Sequence, residues 1–212
     1  GSFQNLLIVA DGMGGHRAGD YASRLCVETM VQSLEKSAHK TPVSLFEEAV
    51  TAANKAVFEE SASHVEYEGM GTTVVACTLE ENTLYIANIG DSRLYLIRDG
   101  IEQITDDHSL VEEMVKQGNI TESEARIHPQ KNIITRALGI NEEVQADFFE
   151  IDVEQGDVIM LCSDGLSNMI EDEDMEYIVK NSDTLQTAAE SLVARANENG
   201  GNDNITVVLA EV

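Results

Sequence analysis

Basic residues are scarce in this 212-residue chain: 13 Lys and Arg stand against 39 Asp and Glu, a formal net charge of −26. Such a surface repels phosphate backbones and anionic lipid headgroups, so nucleic acid and membrane are excluded as partners, while cations are attracted. Cysteine is scarce as well. Cys26, Cys77 and Cys162 are odd in number, far apart and include no CxxC pair. They indicate neither a disulfide framework nor a zinc site, and read as small buried apolar residues in the reducing cytoplasm. Long apolar runs are missing too. The longest, residues 6–10 and 158–162, hold five residues each, where a transmembrane helix needs roughly 20. No basic segment with a hydrophobic stretch behind it marks an export signal.

Several catalytic signatures are absent. A cysteine phosphatase needs Cys-x5-Arg, and the residues six beyond the cysteines are Gln32, Thr83 and Asn168. Gly14 and Gly19 have P-loop spacing but are followed by Asp20, not Lys, and Arg17 stands where a dinucleotide-binding loop needs its third glycine. No Gly-x-Ser-x-Gly elbow occurs.

What is present is a chain of single-domain size in which 42% of residues are hydrophobic, enough for a substantial core. Residues 6–10 form a short apolar run stopped by Asp11-Gly12, the pattern of a buried strand ending in a turn. Apolar residues at helical spacing predict a helix over 17–37. Thr41-Pro42 predicts the cap and first residue of a second helix, with Leu45, Phe46, Ala49, Val50, Ala53, Ala56 and Val57 on its inner face. Residues 72–79, 83–89, 93–97 and 101–104 read as strands so closely spaced that neighbours should pair antiparallel. Capping boxes at Ser109/Glu112 and Thr121/Glu124 open two short helices that interrupt the sheet. Strands near 144–151 and 157–162, helices over 171–180 and 184–197, and a strand over 205–211 complete an α+β layered fold of antiparallel sheets with helices outside.

The chemistry is expected where aspartates meet strands. Asp11 ends one strand and precedes Gly12; Asp164 ends another and precedes Gly165. Asp91 lies between two strands and Asp203 just before the last one. Each alone is ordinary turn chemistry. Four at the mouths of strands that share a sheet can converge, and convergent buried carboxylates need a cation. With no histidine or cysteine at ligand-like spacing beside them, the donor set is all oxygen, which suits Mg²⁺ or Mn²⁺. Two such ions can activate water for phosphate-ester hydrolysis. The bare backbone of Gly12 would let its carbonyl approach a metal.

Six blocks now stand in order: VADGMGGHRAGD at 9–20, GMGTT at 69–73, ANIGDSR at 87–93, TDDHSL at 105–110, LCSDGLS at 161–167 and GNDNIT at 201–206. Together they resemble the bacterial branch of the PPM (type 2C) family of metal-dependent protein serine/threonine phosphatases. The resemblance implies a sandwich of two antiparallel β-sheets flanked by helix pairs. It makes residues 1–212 one PPM-type domain, with a helical flap at about 109–131. It implies that Asp11 bridges two Mn²⁺ or Mg²⁺ ions, that the Gly12 carbonyl and Asp164 and Asp203 complete the site, and that Asp91 with Asp164 holds a third, weaker ion. Through that site, Asp11, Asp164 and Asp203 would act on water attacking phosphoserine or phosphothreonine in line, without a phospho-enzyme. The implied partners are phosphorylated proteins, among them a serine/threonine kinase that the enzyme opposes and that kinase's substrates; the chain is expected to be a monomer.

The GMGTT block and Arg93 are explained by structure alone, and His108 by hydrogen bonding rather than metal ligation. Two departures from the family pattern are visible. Met13 stands where eukaryotic members carry a histidine, which places the chain in the bacterial branch. The family's N-terminal Arg and Asn-Glu/Gln-Asp motif is not among the residues preceding Asp11. From this the domain is expected to be N-terminally short. The alternative to an enzyme is a PPM-fold module that binds metal or phosphoprotein without turnover.

Overall fold

The computed structural model describes residues 5–38 and 41–212. In chain order the elements are β1 (Leu6–Val9), β2 (Gly12–Met13), α1 (His16–Lys36), α2 (Pro42–Ser63), β3 (Gly71–Thr72), β4 (Val74–Glu80), β5 (Thr83–Ile89), β6 (Arg93–Ile97) and β7 (Ile101–Gln103). Then come α3 (Leu110–Lys116), α4 (Glu122–Arg126), β8 (Asp147–Asp152), β9 (Val158–Cys162), α5 (Asp164–Ser167), α6 (Asp172–Lys180), α7 (Leu185–Glu198) and β10 (Val207–Glu211).

Two four-stranded antiparallel sheets result, ordered β1-β4-β5-β8 and β10-β9-β6-β7, with β2 and β3 forming a small ribbon beside them. Strand alternation divides the core into three layers. Val74, Ala76, Ala87 and Ile89 face Ala22, Met30, Phe46 and Val50 of α1 and α2. Their neighbours Val75, Cys77, Leu84 and Ile86 point the other way, onto Leu94, Leu96, Ile159 and Leu161 of the second sheet. Tyr95, Ile97, Met160 and Cys162 then face Met175, Val179, Ala188 and Leu192 of α6 and α7. The order helices, sheet, sheet, helices is the α+β sandwich expected. It also explains why the central strands are apolar on both faces. All three cysteines are buried and free.

Three local expectations are corrected. β5 and β6, only three residues apart, do not pair: β5 belongs to the first sheet and β6 to the second, so Gly90–Asp91–Ser92 is a corner between sheets rather than a hairpin turn. Helix α2 begins with Pro42 at its first position, where the preset φ of proline starts the helix, but Thr41 makes no side-chain cap bond. Asp164-Gly165 is not a turn but the opening of the helical segment α5. Of the two expected capping boxes, Thr121/Glu124 is complete, whereas at Ser109 the hydroxyl accepts from Glu112 N–H. On α2 the inner face is buried as read, except that Ala56 is half-buried.

Between β7 and β8 the chain makes an excursion through α3 and α4. Its base is closed by a bridge between Ser109 and Ile134, by Leu110 N–H donating to Ile133 O (2.9 Å) and by Thr135 N–H donating to His108 O (2.7 Å).

Candidate active site

Asp11 is held by its backbone. Its N–H donates to Thr73 Oγ1 at 3.0 Å, and its carbonyl accepts from Thr73 N–H at 2.8 Å and from Thr72 Oγ1 at 2.9 Å. The same Thr73 hydroxyl lies 2.7 Å from Ser92 Oγ in the corner that carries Asp91. That corner is gripped from the other side by His108. Gly90 N–H donates to His108 Nδ1 (3.1 Å) and His108 N–H donates to Gly90 O (2.9 Å), while Nε2 lies 3.1 Å from Asp147 Oδ2. Histidine here is a hydrogen-bonding scaffold, as read.

The bare backbone of Gly12 has a packing role. A Cβ on Gly12 would stand 1.9 Å from Gly19 O in α1, so the bare backbone is required for α1 to pack against β2. Asp164, at the start of α5, is followed by Gly165, where a Cβ would meet Asn204 O at 2.2 Å. Ser163 Oγ donates to Asn204 O (3.1 Å) and accepts from Thr206 N–H (3.1 Å). This close seam lays the segment before β10 along α5 and brings Asp203 beside Asp164.

The four aspartates thus converge. The carboxyls of Asp11 and Asp164 bear on each other, and Asp203 bears electrostatically on both. Burial, followed by the repulsion of Asp164 and Asp203, pushes the Asp11 carboxyl up to about 7. Burial, followed by repulsion from Asp164 and Asp107, pushes Asp91 up to about 7. Asp164 is raised by burial first and by Asp203 second. Asp203 itself is exposed, with Asn204 N–H on its Oδ1 at 2.8 Å. Among the described residues no three ligating side chains stand preassembled around one metal position, and no basic side chain pairs with these four carboxylates. Carboxylates that repel one another yet are held together by backbone bonds form an all-oxygen donor set that fits hard divalent cations.

A cavity of about 580 Å³ opens beside Asp91 and Asp164, between the α3–α4 excursion and the start of α6. Arg93, on its wall, donates to both oxygens of Asp107 (2.9 and 2.8 Å) and to Tyr95 Oη (2.8 Å), the buried arginine pair expected. Arg126 of α4 reaches across to Glu171 (2.9 Å) and toward the carbonyls of Ser167 and Ile170. Asn168 Nδ2 donates to Asp164 Oδ2 at 3.1 Å.

The profile of protein phosphatase 2C matches residues 2–210. The chain belongs to the protein phosphatase 2C family. Among relatives of the 2C family, the serine/threonine phosphatase stp of Listeria monocytogenes serotype 4b (strain F2365) is 41% identical over 213 residues, covering 98% of this chain and 84% of that protein. Among solved 2C-family structures, serine/threonine phosphatase Stp1 from Staphylococcus aureus superposes with a TM-score of 0.93 at 35% identity, covering 98% of this chain and 83% of that one. The catalytic domain of the serine/threonine protein phosphatase PstP in complex with two manganese ions has a TM-score of 0.88 at 36% identity, covering 98% and 87%.

Sequence reasoning about this 2C-family chain named the four aspartates but not the residues that hold them. Thr72, Thr73, Ser92 and Ser163 act over long separations, such as the 62 positions between Asp11 and Thr73, whereas Asn168 reaches Asp164 from four residues along the chain. Thr72 and Thr73 lie in the GMGTT block, and that placement was the one signal available. Nothing local pairs a threonine with an aspartate so far away.

Proposed function

We propose that this chain hydrolyses phosphoserine and phosphothreonine in proteins, with Asp11, Asp164 and Asp203 and the Gly12 carbonyl holding two divalent ions, and Asp91 with Asp164 holding a third. The observation that carries this reading is the convergence of the half-buried Asp11, Asp91 and Asp164 with Asp203, carboxyls that bear on one another electrostatically with no basic partner among the described residues. Family membership and the named activities of relatives at about 40% identity support the same reaction class. When bound, such ions polarise a phosphoryl oxygen and make a hydroxide nucleophile accessible at neutral pH. The chain's own part is to hold the carboxylates in register: Thr72 and Thr73 anchor Asp11, His108 and Thr73 anchor the Asp91 corner, and Ser163 anchors the Asp203 segment. Manganese is the first choice of ion and magnesium the second, the former supported by the manganese complex of a structural relative.

The chain acts as one domain over 1–212, with 109–131 as a flap beside the cleft. Its high negative charge supports a monomer, and its three free buried cysteines support the cytoplasm. Its substrates are phosphoproteins, including a serine/threonine kinase that it opposes. Among the described residues no helix is long and apolar enough to cross a membrane.

The test is phosphate release from a phosphothreonine peptide with saturating Mn²⁺ and with EDTA. Manganese-dependent release is expected. Metal binding without release would instead make the chain a binding module.

A further inference from the structure

Nine of the residues lining the 580 Å³ cavity are acidic and three are basic. A phosphoryl dianion entering such a cleft meets repulsion from most of its walls, so any free cation there has a large effect on binding. Two of the three are committed elsewhere. Arg93 is locked in its two-pronged pair with Asp107, and Arg126 is spent on Glu171. The third, Lys131, lies just beyond α4 and has no carboxylate partner among the described residues; its ammonium donates to Asn168 Oδ1 at 3.5 Å. Asn168 in turn donates to Asp164 Oδ2 at 3.1 Å. Lys131 therefore stands two hydrogen bonds from the carboxylate cluster, on the opposite bank of the same cavity.

We propose that Lys131 is a substrate-binding residue that takes an oxygen of the phosphoryl group of the phosphoprotein as it enters the Asp91–Asp164 end of the cavity, an assignment that rests on the phosphatase reading above. Its present contact is at the long limit of a hydrogen bond, so an incoming oxyanion displaces it at little cost. The four-carbon stem of lysine gives the ammonium the reach to follow the substrate, and a compact point charge suits a phosphoryl oxygen. The residue sits on the excursion and not on the sheets. Phosphate recognition is thereby shared between a rigid carboxylate cluster and a segment that Arg126 ties to Glu171 and the carbonyls of Ser167 and Ile170.

The decisive measurement is the affinity of a peptide carrying a non-hydrolysable phosphonate analogue of phosphothreonine, by fluorescence anisotropy with Mn²⁺, for the wild type, Lys131→Met and Lys131→Arg. Mn²⁺ affinity is measured in parallel by calorimetry. Lys131→Met is expected to weaken the peptide about tenfold, the loss of one charge-assisted bond in a partly open cleft, and Lys131→Arg to recover most of it. The inhibition constant of inorganic phosphate should rise by a similar factor, which separates recognition of the phosphoryl group from recognition of the peptide. Mn²⁺ affinity should not change. Peptide affinity within twofold of wild type in Lys131→Met would overturn the proposal. So would a parallel loss of Mn²⁺ affinity, because Lys131 would then act through Asn168 on Asp164. Binding is read without turnover, so a wild type that bound the analogue but released no phosphate would count against the phosphatase reading and not against Lys131.

Discussion

Thr73 and Asp11 hold each other by two hydrogen bonds, Asp11 N–H to Thr73 Oγ1 at 3.0 Å and Thr73 N–H to Asp11 O at 2.8 Å. The hydroxyl that completes this clasp also meets Ser92, so one buried side chain ties the first strand's aspartate to the inter-sheet corner of Asp91. Thr73→Val keeps the shape and removes the oxygen. Asp11 N–H and Ser92 Oγ then lose a partner, at a cost of about 1–3 kcal/mol. Urea unfolding should show this loss, and Mn²⁺ titration should show a weaker metal response. A variant that keeps wild-type values of both would mean that Thr73 only fills space.

Asp164→Asn removes the carboxylate that is electrostatically coupled to Asp11, Asp91 and Asp203 at once. Manganese-dependent phosphate release should disappear. The metal-free variant should nevertheless be more stable than metal-free wild type at pH 7.5, since a repelling charge has been removed. Wild-type turnover in this variant would overturn the site assignment.

Stability should depend on pH in a direction set by the raised carboxyls. Asp11 and Asp91 are pushed up to about 7 from an ordinary value of 3.8. A carboxyl raised on folding favours the folded state while protonated. That contribution is complete below about pH 4 and is lost as pH climbs through about 7. The metal-free protein should therefore lose melting temperature between pH 5 and pH 7.5. Added Mn²⁺ should raise it far more at pH 7.5 than at pH 5, where protons compete for the same oxygens. Calorimetric scans with EDTA and with Mn²⁺ at the two pH values read this directly; an equal metal effect at both would mean that these carboxyls are not the ligands.

Gly165→Ala places a methyl 2.2 Å from Asn204 O, in the seam that sets Asp203 beside Asp164. Overpacking of this kind costs about 1–3 kcal/mol, and here the relief is movement of the Asp203 segment. Both thermal stability and Mn²⁺ affinity should fall. Gly100→Ala, whose Cβ would meet nothing within 4 Å, is the control and should leave both unchanged. Loss of stability alone in Gly165→Ala would separate this seam from metal binding.

The chain's local patterns determined the layers and the chemistry. Two-sided apolar runs at β4, β5 and β9 were legible as buried strands, and helical spacing over 17–37 as α1, because side-chain periodicity is a property of neighbours in sequence. The carboxylates at strand mouths, with no nitrogen or sulfur donors beside them, pointed to hard cations for the same reason: residue type and position are local facts. Tertiary structure decided what depends on distance along the chain. It put β5 and β6 in different sheets and so turned Asp91's loop into a corner. It also brought Thr73 to Asp11 and Asn204 to Gly165, and raised the Asp11 and Asp91 carboxyls. A carboxyl's affinity for protons or metal is set by the charges and the water around it in space, and only the packed sheets supply those.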